Sequence, residues 1–538
     1  MKKIVLLTFV PALILSMTFV IHFSAPVKAE TKTWTVDDDG PADFQTIQEA
    51  VNAAKPGDTV FVYNGTYQEW NIVLDKDDLS LIGENKDNTI IDGMNYGWIL
   101  TITAQNVTVT GFTIQKSSIG TAGVFLSHTK ECRISNNLVR NHDSGIYAVY
   151  SNNNVIEKNW VANNNEGIIL SIVCKENKIM DNNVTGNTLY AGIDVSNGAH
   201  SNQIENNEII QNKYGILITS ENNSIFGNLI MNNDVGIYEY SESTRGYKIF
   251  HNNFVNNTQQ IDLGSRSANI WDNGLEGNYW SDYNGTDFNQ DGVGDTSYII
   301  NGNNMDYHPL MGTFSEFAVT LEVQTFHVTT ICNSTISAFQ SDQVNKIMRF
   351  NVTGEKGIGF CRVCTPYDLV PPPHTVTIDN GQTPVLYYNH SIYDNGTHRW
   401  IHFAYEHSTH EVLIRGTTPP TISIISPENK TYTVKDILLA FTVSEPTLWI
   451  SYSLDDQMNV TVTGNTTLST LSDGSHSLKV YAKDTAGNMG ASEIICFSIE
   501  TQQEEAFPTW IVAAMVIIAV VGATLLVYFS KVKKTTAR

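Results

Sequence analysis

A short sequence motif repeats at a nearly fixed interval through the first half of this chain. Gly-Ile pairs begin at Gly145, Gly167, Gly192, Gly215 and Gly236, at steps of 22, 25, 23 and 21 residues. A repeat of this length indicates a solenoid, in which each unit stacks on the one before it and buries its apolar face there. No other feature of the sequence limits the possible folds so strongly.

The apolar residues after each Gly alternate with their neighbours. They are Ile146 and Ala148, Ile168 and Leu170, Ile193 and Val195, and Ile216 and Ile218. This spacing predicts short strands that turn every second side chain towards the interior. Asn and Gly, which are frequent between the strands, adopt left-handed turn conformations readily. We therefore expect a parallel β-helix. A leucine-rich repeat has a similar period, but it needs a Leu framework where this chain has β-branched residues and Asn.

An asparagine also recurs once per repeat, in phase with the Gly-Ile pairs. The positions are Asn137, Asn159, Asn183, Asn207, Asn228 and Asn253. Strands of neighbouring coils lie about 4.8 Å apart, so aligned side-chain amides can hydrogen-bond along the axis of the helix. We interpret this column as structural.

Two segments resemble the right-handed β-helix repeats of the NosD-like family: the segment from Asn136 to Ile146 and the segment from Asn206 to Ile216. The resemblance covers roughly residues 34–311. It implies a right-handed parallel β-helix of the kind found in carbohydrate-binding and sugar-hydrolysis domains. The family includes many archaeal cell-surface proteins and periplasmic copper-site maturation factors. Such repeats indicate architecture rather than chemistry, so they imply a fold more strongly than an activity.

The other segments predict an all-β surface protein with a membrane anchor. Residues 1–29, in which Lys2 and Lys3 precede an apolar run, predict a signal peptide, with an uncleaved anchor as the alternative. Residues 31–315 form the predicted β-helix, with an N-terminal cap helix from Asp43 to Ala54. A β-sandwich module is expected over 316–416 and an Ig-like β-sandwich over 419–500. Residues 509–529 are apolar and long enough to span a bilayer, and the basic tail 530–538 predicts a cytoplasmic C-terminus.

Charge and composition restrict the possible partners. The net charge of −23 argues against nucleic acid, which needs a basic surface. Many Asn-x-Ser/Thr sequons predict an extracellular glycoprotein. The six cysteines are scattered, and their spacing does not indicate a disulfide framework.

A segment after the last repeat has the ligand spacing of a calcium loop. Asp287, Asn289, Asp291 and Asp295 occupy loop positions 1, 3, 5 and 9, and Val293 at position 7 offers its carbonyl oxygen. The bidentate Glu that usually occupies position 12 is absent, so Asp282 or Asp306 would have to complete the shell. We predict a structural calcium ion here.

Three functions are compatible with these observations. The first is a membrane-anchored surface protein whose β-helix binds polysaccharide or glycoprotein. The expected binding face carries Leu138, Trp160, Val184, Glu208, Leu229 and Phe254. Of these, Trp160 and Phe254 are predicted to stack on sugar rings.

The second function is an extracellular polysaccharide lyase or glycosidase. Its candidate acid–base residues are Asp143 and Glu166, with His142 beside them, because successive coils could bring the two carboxylates to about 5 Å. The outward column through Asp194 lacks a paired acid, which favours binding over cleavage. The third function is NosD-like copper handling. Copper sites need grouped histidines, so the histidines would have to occupy equivalent positions in successive coils.

Overall fold

The structure, a computed structural model, describes residues 31–241, 244–416, 419–484, 489–501 and 508–535. The predicted signal peptide lies outside these residues, as does the end of the basic tail. The chain is mostly β and divides into two compact units, residues 1–289 with 293–314 and residues 290–292 with 315–538.

The first unit contains a parallel β-solenoid of about 11 turns. Each full coil contributes one strand to each of three parallel sheets. Within the described residues, the first sheet comprises Thr33–Val36, Thr59–Val62, Ser80–Gly83, Thr108–Thr110, Arg133–Ser135, Val155–Glu157, Lys178–Met180, Gln203–Glu205, Ser224–Phe226, Arg245–Phe250 and Ala268–Ile270. The second comprises Gly65–Tyr67, Thr89–Asp92, Thr113–Gln115, Leu138–Arg140, Trp160–Ala162, Asn183–Thr185, Glu208–Ile210, Leu229–Met231, Asn253–Val255 and Tyr279–Trp280. The third comprises Ile72–Leu74, Leu100–Ile102, Ala122–Ser127, Ser144–Val149, Glu166–Ser171, Ala191–Val195, Tyr214–Ile218, Val235–Glu239 and Gln259–Asp262.

The register of the third sheet confirms the predicted inward column. Ile146 pairs with Ile168, Ile168 with Ile193, and Ile193 with Ile216. All four side chains are fully buried in one continuous apolar core. The β-branched residues therefore both favour the strands and fill the interior of the coil.

The geometry of the corners of the coils explains why the dipeptide Asn-Asn is frequent in the repeats. Asn136 has a φ of 52° and precedes Asn137, and Asn153 has a φ of 54° and precedes Asn154. The first residue of each pair makes the left-handed turn, a conformation in which Asn is several-fold enriched. The second residue points inwards and joins a ladder of amides.

Asparagine ladders run along all three corners. In each ladder the side-chain amide of one Asn donates to the side-chain oxygen of the next, at 2.9–3.1 Å. The ladders are Asn137–Asn159–Asn182–Asn207–Asn228–Asn252–Asn278, Asn154–Asn177–Asn202–Asn223 and Asn164–Asn187–Asn212–Asn233–Asn257. The predicted structural role is confirmed, but two predicted members, Asn183 and Asn253, are wrong. Two Asn are adjacent in those coils, and the inward one is Asn182 or Asn252.

The cap helix is shorter than the sequence predicted. It spans Ile47–Ala53, with Thr46 rather than Asp43 at its N-cap. The Glu69 carboxylate accepts hydrogen bonds from the first two helical amides, of Ile47 and Gln48, at 2.7 and 3.1 Å. Buried Ile47 and other apolar residues of this helix belong to the core of the β-solenoid. The helix thus covers apolar surface as expected of a cap. A hairpin of Tyr298–Asn301 and Asn304–Asp306 follows the last coils.

The second unit contains antiparallel sheets around two further apolar clusters. Within the described residues, a five-stranded sheet has the order Thr313–Leu321, Gln324–Cys332, Ile358–Pro366, His398–Glu406 and Tyr387–Asp394. A four-stranded sheet has the order Thr335–Asp342, Ile347–Thr353, Thr409–Gly416 and His374–Ile378, which a 3-10 turn at Asp379–Gly381 follows. A disulfide joins Cys332 to Cys361 on adjacent strands, a bond that the scattered cysteines did not predict.

The last part of the chain has two more sheets and one long helix. One sheet is formed by Ile422–Ser426, Ile437–Val443 and Thr466–Leu468. The other is formed by Thr431–Tyr432, Ile495–Ile499, Gly474–Asp484, Thr447–Leu454 and Val460–Val462, with Met489–Ala491 beside Gly474–Asp484. The helix spans Thr509–Thr535, and its segment Thr509–Lys531 is long and apolar enough to cross a membrane.

Candidate functional site

The outer surface of the third sheet carries a row of side chains in direct register. Tyr147 pairs with Ile169, Ile169 with Asp194, Asp194 with Leu217, and Leu217 with Tyr238. This is the outward column expected from the positions after the Gly-Ile pairs. The column continues to Phe125 beyond Tyr147 and to Asp262 beyond Tyr238.

Aromatic rings cover this sheet on both sides of Asp194. On one side, Phe125 lies between Trp98 and Tyr147, with ring centroids 4.4 and 5.5 Å away. On the other side, Tyr214 lies between Tyr190 and Tyr238, at 5.9 and 4.2 Å. We call these six residues, Trp98, Phe125, Tyr147, Tyr190, Tyr214 and Tyr238, the aromatic face. Each remains at least partly exposed, so the face is available to a ligand.

Two carboxyl groups interact between the halves of the aromatic face. Burial raises the pKa of Glu166 well above its usual range, and the neighbouring Asp194 and then Asp143 raise it further. Burial also raises the pKa of Asp194, while hydrogen bonds from Glu166 and Ser196 oppose that shift. Two carboxyl groups in contact cannot easily both ionise. Glu166 is therefore the protonated member of the pair and Asp194 the ionised member near neutral pH.

A cavity of about 440 Å³ opens beside Asp194. Its lining is Tyr190, Asp194, Ser196, Asn197, Leu217, Thr219 and Tyr240. Asp194 is 7 % exposed, and its Oδ2 accepts a hydrogen bond from the Ser196 hydroxyl at 3.3 Å. The amide of Asn197 donates to the Ser171 hydroxyl at 2.8 Å. The cavity thus combines aromatic walls with convergent polar groups, which is the usual composition of a ligand site.

No acid pairs with Asp194 within its column, as predicted. Its register partners are apolar, as expected, but Glu166 approaches from a different column of the adjacent strand. Gly167 and Ile168 both face the interior, so the strand does not alternate at this point, and Glu166 lies outside the simple period of two. Comparing equivalent positions of successive repeats identifies only residues in direct register, and it misses such diagonal contacts.

The two other candidate acid–base residues serve the fold. His142 is buried, and its Nδ1 accepts from the amide of Ser117 at 3.1 Å while its Nε2 donates to the carbonyl of Ile114 at 3.0 Å. It occupies a ladder position and makes the same kinds of contact as a ladder Asn. Asp143 accepts a hydrogen bond from Asn165 at 2.6 Å. His142, predicted to accompany the two acids, is instead a buried residue of the ladder.

The predicted binding face on the second sheet is only partly correct. Trp160 is 48 % exposed and points outwards, beside a polar cavity of about 460 Å³. Phe254 is wrong, because it is fully buried and stacks on Trp280 with ring centroids 4.4 Å apart. Val184 is buried as well. Both errors come from the register: Trp160 pairs with Asn183, so the next residue, Val184, faces the core.

Tyrosines 190, 214 and 238 are the residues that sequence reasoning missed as a group. Tyr214 directly precedes Gly215, Tyr190 lies two residues before Gly192, and Tyr238 follows Ile237. Their offsets from the Gly-Ile pairs differ, so they form no column in the sequence. A count of aromatics within two or three residues of each pair would have found them.

The residues of the predicted calcium loop are divided between the two compact units. In the first unit, the Asp295 carboxylate accepts from the amide of Phe288 at 2.5 Å, which closes the loop. Asp291 is counted with the second unit, where its carboxylate lies 3.7 Å from the Arg362 guanidinium. Among the proposed additional ligands, Asp306 accepts from the Trp280 indole and Asp282 from the Tyr298 hydroxyl. Asp287, Asn289 and Val293 complete the predicted set, and the calcium site stays a prediction.

Comparison with known proteins gives a match to one family model. Residues 51–285 match the model of NosD, described as a periplasmic copper-binding protein. The repeat segment is NosD-like. A probable ABC transporter binding protein NosD of Stutzerimonas stutzeri is 36 % identical to this chain over 104 residues, and Halomucin of Haloquadratum walsbyi is 37 % identical over 93 residues.

These relatives are matched over a small part of their length. The alignments cover 19 % of this chain and 18 % of the NosD protein, and 16 % of this chain and 1 % of Halomucin. Among solved structures, the A-module of a mannuronan C-5 epimerase from Azotobacter vinelandii has a TM-score of 0.33 and 17 % identity, over 42 % of this chain and 76 % of that one. An alginate lyase from Paenibacillus has a TM-score of 0.29 and 14 % identity, over 46 % and 97 %. Likenesses at this level carry no argument about activity.

Proposed function

We propose that this protein is a membrane-anchored surface protein whose NosD-like β-helix binds polysaccharide on the aromatic face. The observation that carries the proposal is the row of partly exposed rings on the third sheet. Sugar rings have apolar C–H faces and hydroxyls at their edges, and a tyrosine offers an apolar ring and a polar hydroxyl at once.

The geometry of the face suits an extended ligand. Coils are stacked about 4.8 Å apart, and the rings form two groups of three along the solenoid axis, separated by the coil of Glu166–Ser171. The cavity beside Asp194 interrupts this surface and supplies polar groups that could fix the orientation of one sugar unit. A large, partly exposed apolar surface of this kind usually marks an interaction site.

The location is part of the same proposal. The apolar segment Thr509–Lys531 would anchor the chain, with the β-helix outside the cell and the basic tail inside. An outward-facing β-helix would then meet the polysaccharides and glycoproteins of the cell surface.

Binding to a glycan array tests the proposal. Full-length protein in detergent micelles should be retained by at least one polysaccharide, and Tyr214→Ala should weaken retention about tenfold, because it removes the ring between Tyr190 and Tyr238. Phe226→Ala is the matched control, since Phe226 stacks on Phe250 on the first sheet. Loss of retention in Trp160→Ala but not in Tyr214→Ala would move the site to the second sheet. Retention by no glycan would contradict the proposal.

Cleavage of the polysaccharide is the second candidate function. A protonated Glu166 beside an ionised Asp194 has the protonation states of a general acid and a general base. However, the two carboxyl groups interact directly, whereas glycosidases hold theirs about 5 Å or more apart so that the sugar or a water fits between them. We therefore prefer binding. New reducing ends or unsaturated sugars that disappear in Glu166→Gln would reverse this preference.

Copper handling gains no support from the geometry. Among the described residues, the group of three or more possible His, Cys, Asp or Glu ligands within 4.8 Å is Asp37, Asp38 and Asp39. Copper prefers imidazole and sulfur ligands to such carboxylates. His142 is part of the fold, and His251 contacts Glu276 at 3.0 Å.

A further inference from the structure

Two exposed aromatic rings lie together at the N-terminal end of the third sheet. Trp70 precedes the first strand of that sheet, Ile72–Leu74, and Tyr96 precedes the second strand, Leu100–Ile102. Their ring centroids are 5.1 Å apart, and the two residues are 41 and 57 % exposed. Neither residue belongs to the apolar core of the solenoid. Large exposed aromatic side chains that lie side by side usually mark an interaction site.

The register of the sheet places Trp70 one coil before the aromatic face. Ile72 pairs with Leu100 across the first two strands. Trp70 and Trp98 lie two residues before these partners, so they occupy equivalent positions in successive coils. The amide of Asn71 donates to the carbonyl of Trp98 at 2.7 Å, which joins the two coils at this point. Trp70 therefore extends the row of rings by one coil beyond Trp98.

Both rings are carried by backbone that hydrogen bonds hold in place. The amide of Tyr96 donates to a backbone carbonyl of its own turn at 2.8 Å, and the next residue, Gly97, has a φ of 48°. A Cβ at Gly97 would lie 2.7 Å from the side-chain oxygen of Asn71 and 3.2 Å from the Trp70 ring, so a glycine lets this turn approach the preceding coil. On the other side of Trp70, the Glu69 carboxylate binds the first amides of the cap helix. Groups that are ordered before a ligand arrives lose little conformational entropy when it binds.

We propose that the aromatic face, together with Trp70 and Tyr96, holds one long linear polysaccharide chain along the axis of the solenoid. With Trp70 included, each coil from the strand Ile72–Leu74 to the strand Val235–Glu239 contributes a ring, except the coil of Glu166–Ser171. These two strands are seven steps apart in the sheet, which corresponds to about 34 Å at about 4.8 Å per step.

A long linear chain fits this row better than a short glycan does. Its units present the same apolar ring face again and again, whereas a short glycan reaches only part of the row. The cavity beside Asp194 lies in the gap between the two groups of rings, and its polar lining can bind the hydroxyls of a unit that crosses the gap. This ligand class rests on the proposed function and narrows it to polymers that are recognised along their length.

Binding measured against chain length tests the proposal. Titration calorimetry of the full-length protein in detergent micelles uses the polysaccharide that the array retains, with its disaccharide, its tetrasaccharide and longer fragments. We expect the affinity to rise with fragment length and one long fragment to bind per protein chain. Trp70→Ala and Tyr96→Ala should each weaken binding of the longest fragment about tenfold, because each removes a stacking ring. Both should leave tetrasaccharide binding unchanged, since short fragments are expected beside the cavity, where polar groups add to stacking.

Two control variants separate the loss of a ring from damage to the fold. Tyr307→Ala removes a tyrosine that is 57 % exposed, like Tyr96, but that follows the strand Asn304–Asp306 outside the three parallel sheets. It should leave the affinity for the longest fragment unchanged. Trp70→Tyr keeps an aromatic ring and should restore most of the affinity that Trp70→Ala loses. The melting temperature of each variant shows whether it is folded.

The outcomes separate the extended surface from the proposed function. Equal affinities for the tetrasaccharide and the longest fragment, or binding of the longest fragment unchanged by both Trp70→Ala and Tyr96→Ala, would overturn the extended surface while glycan retention and its loss in Tyr214→Ala stand. Two long fragments per protein chain would also overturn it, because each group of rings would then hold a ligand of its own. Retention of no glycan would contradict the proposed function and the extended surface together.

Discussion

At the scale of single residues, the structure depends on inward-pointing amides. The side-chain oxygen of a ladder Asn accepts from a backbone and a side-chain amide of the preceding coil, and its side-chain amide donates to the next ladder Asn and to a carbonyl of the preceding coil. Its side-chain groups are therefore used inside the solenoid. Asn182, for example, accepts from Asn159 and donates to Asn207 and to the carbonyl of Ile156. Because a buried donor or acceptor without a partner is costly, each ladder position tolerates few residue types.

The adjacent residues Asn182 and Asn183 allow a direct test of the ladder. Asn182→Ala should destabilise the β-helix by about 3 kcal/mol, since it removes several buried hydrogen bonds and leaves their partners unpaired. Asn183→Ala, one residue later on the outer surface, should cost less than about 1 kcal/mol. Urea denaturation of both variants measures the difference. Equal losses would contradict the assignment of Asn182 to the ladder.

His142 predicts a pH dependence of stability. Burial lowers its pKa to about 4, because the protonated ring would lose the solvation of its charge and the acceptor that Ser117 needs. The contribution of a neutral His142 is complete above the unfolded pKa of about 6.5 and is lost as the pH falls from there towards 4. The loss amounts to about 3 kcal/mol.

The variant His142→Asn should remove this dependence. An Asn at this position could accept from Ser117 and donate to the preceding coil, as ladder residues do, and it does not titrate. Melting temperatures between pH 7 and 4 should therefore fall more steeply for the natural chain than for His142→Asn. Parallel curves would show that acid acts on other groups.

At the scale of elements, the sequence predicts the coils well and the outer surface poorly. The inward column of Ile146, Ile168 and Ile193 follows from the Gly-Ile period, because interior positions repeat with the coil. The outward contacts of Glu166 do not, since a side chain at the surface can reach a neighbour in a different column. Phe254 was misplaced for a related reason: a shift of one residue moves a side chain from one face of a strand to the other.

Calcium binding by the predicted loop can be tested through the melting temperature. Calcium should raise the melting temperature of the full-length chain, because an ion that binds only the folded form stabilises it by mass action. The variant Asp291→Ala should abolish the rise. A rise that persists in this variant would place the ion elsewhere.

At the scale of the whole molecule, the proposed location rests on one helix. Its apolar segment of 23 residues is long enough for a bilayer, and Lys531 begins the basic tail. Truncation after Gln503 should release the protein into the medium, as fractionation of cells and medium would show. A truncated protein that stays with the membrane would indicate that the N-terminal segment is an uncleaved anchor.

The central claim is that the aromatic face of the β-helix is the surface that binds polysaccharide. Hydroxyl-radical footprinting of the full-length chain, with and without a glycan that the array retains, tests it most directly. The account predicts protection of Tyr190, Tyr214 and Tyr238, with Phe226 on the first sheet unchanged. Protection of Trp160 with the three tyrosines unchanged would contradict it.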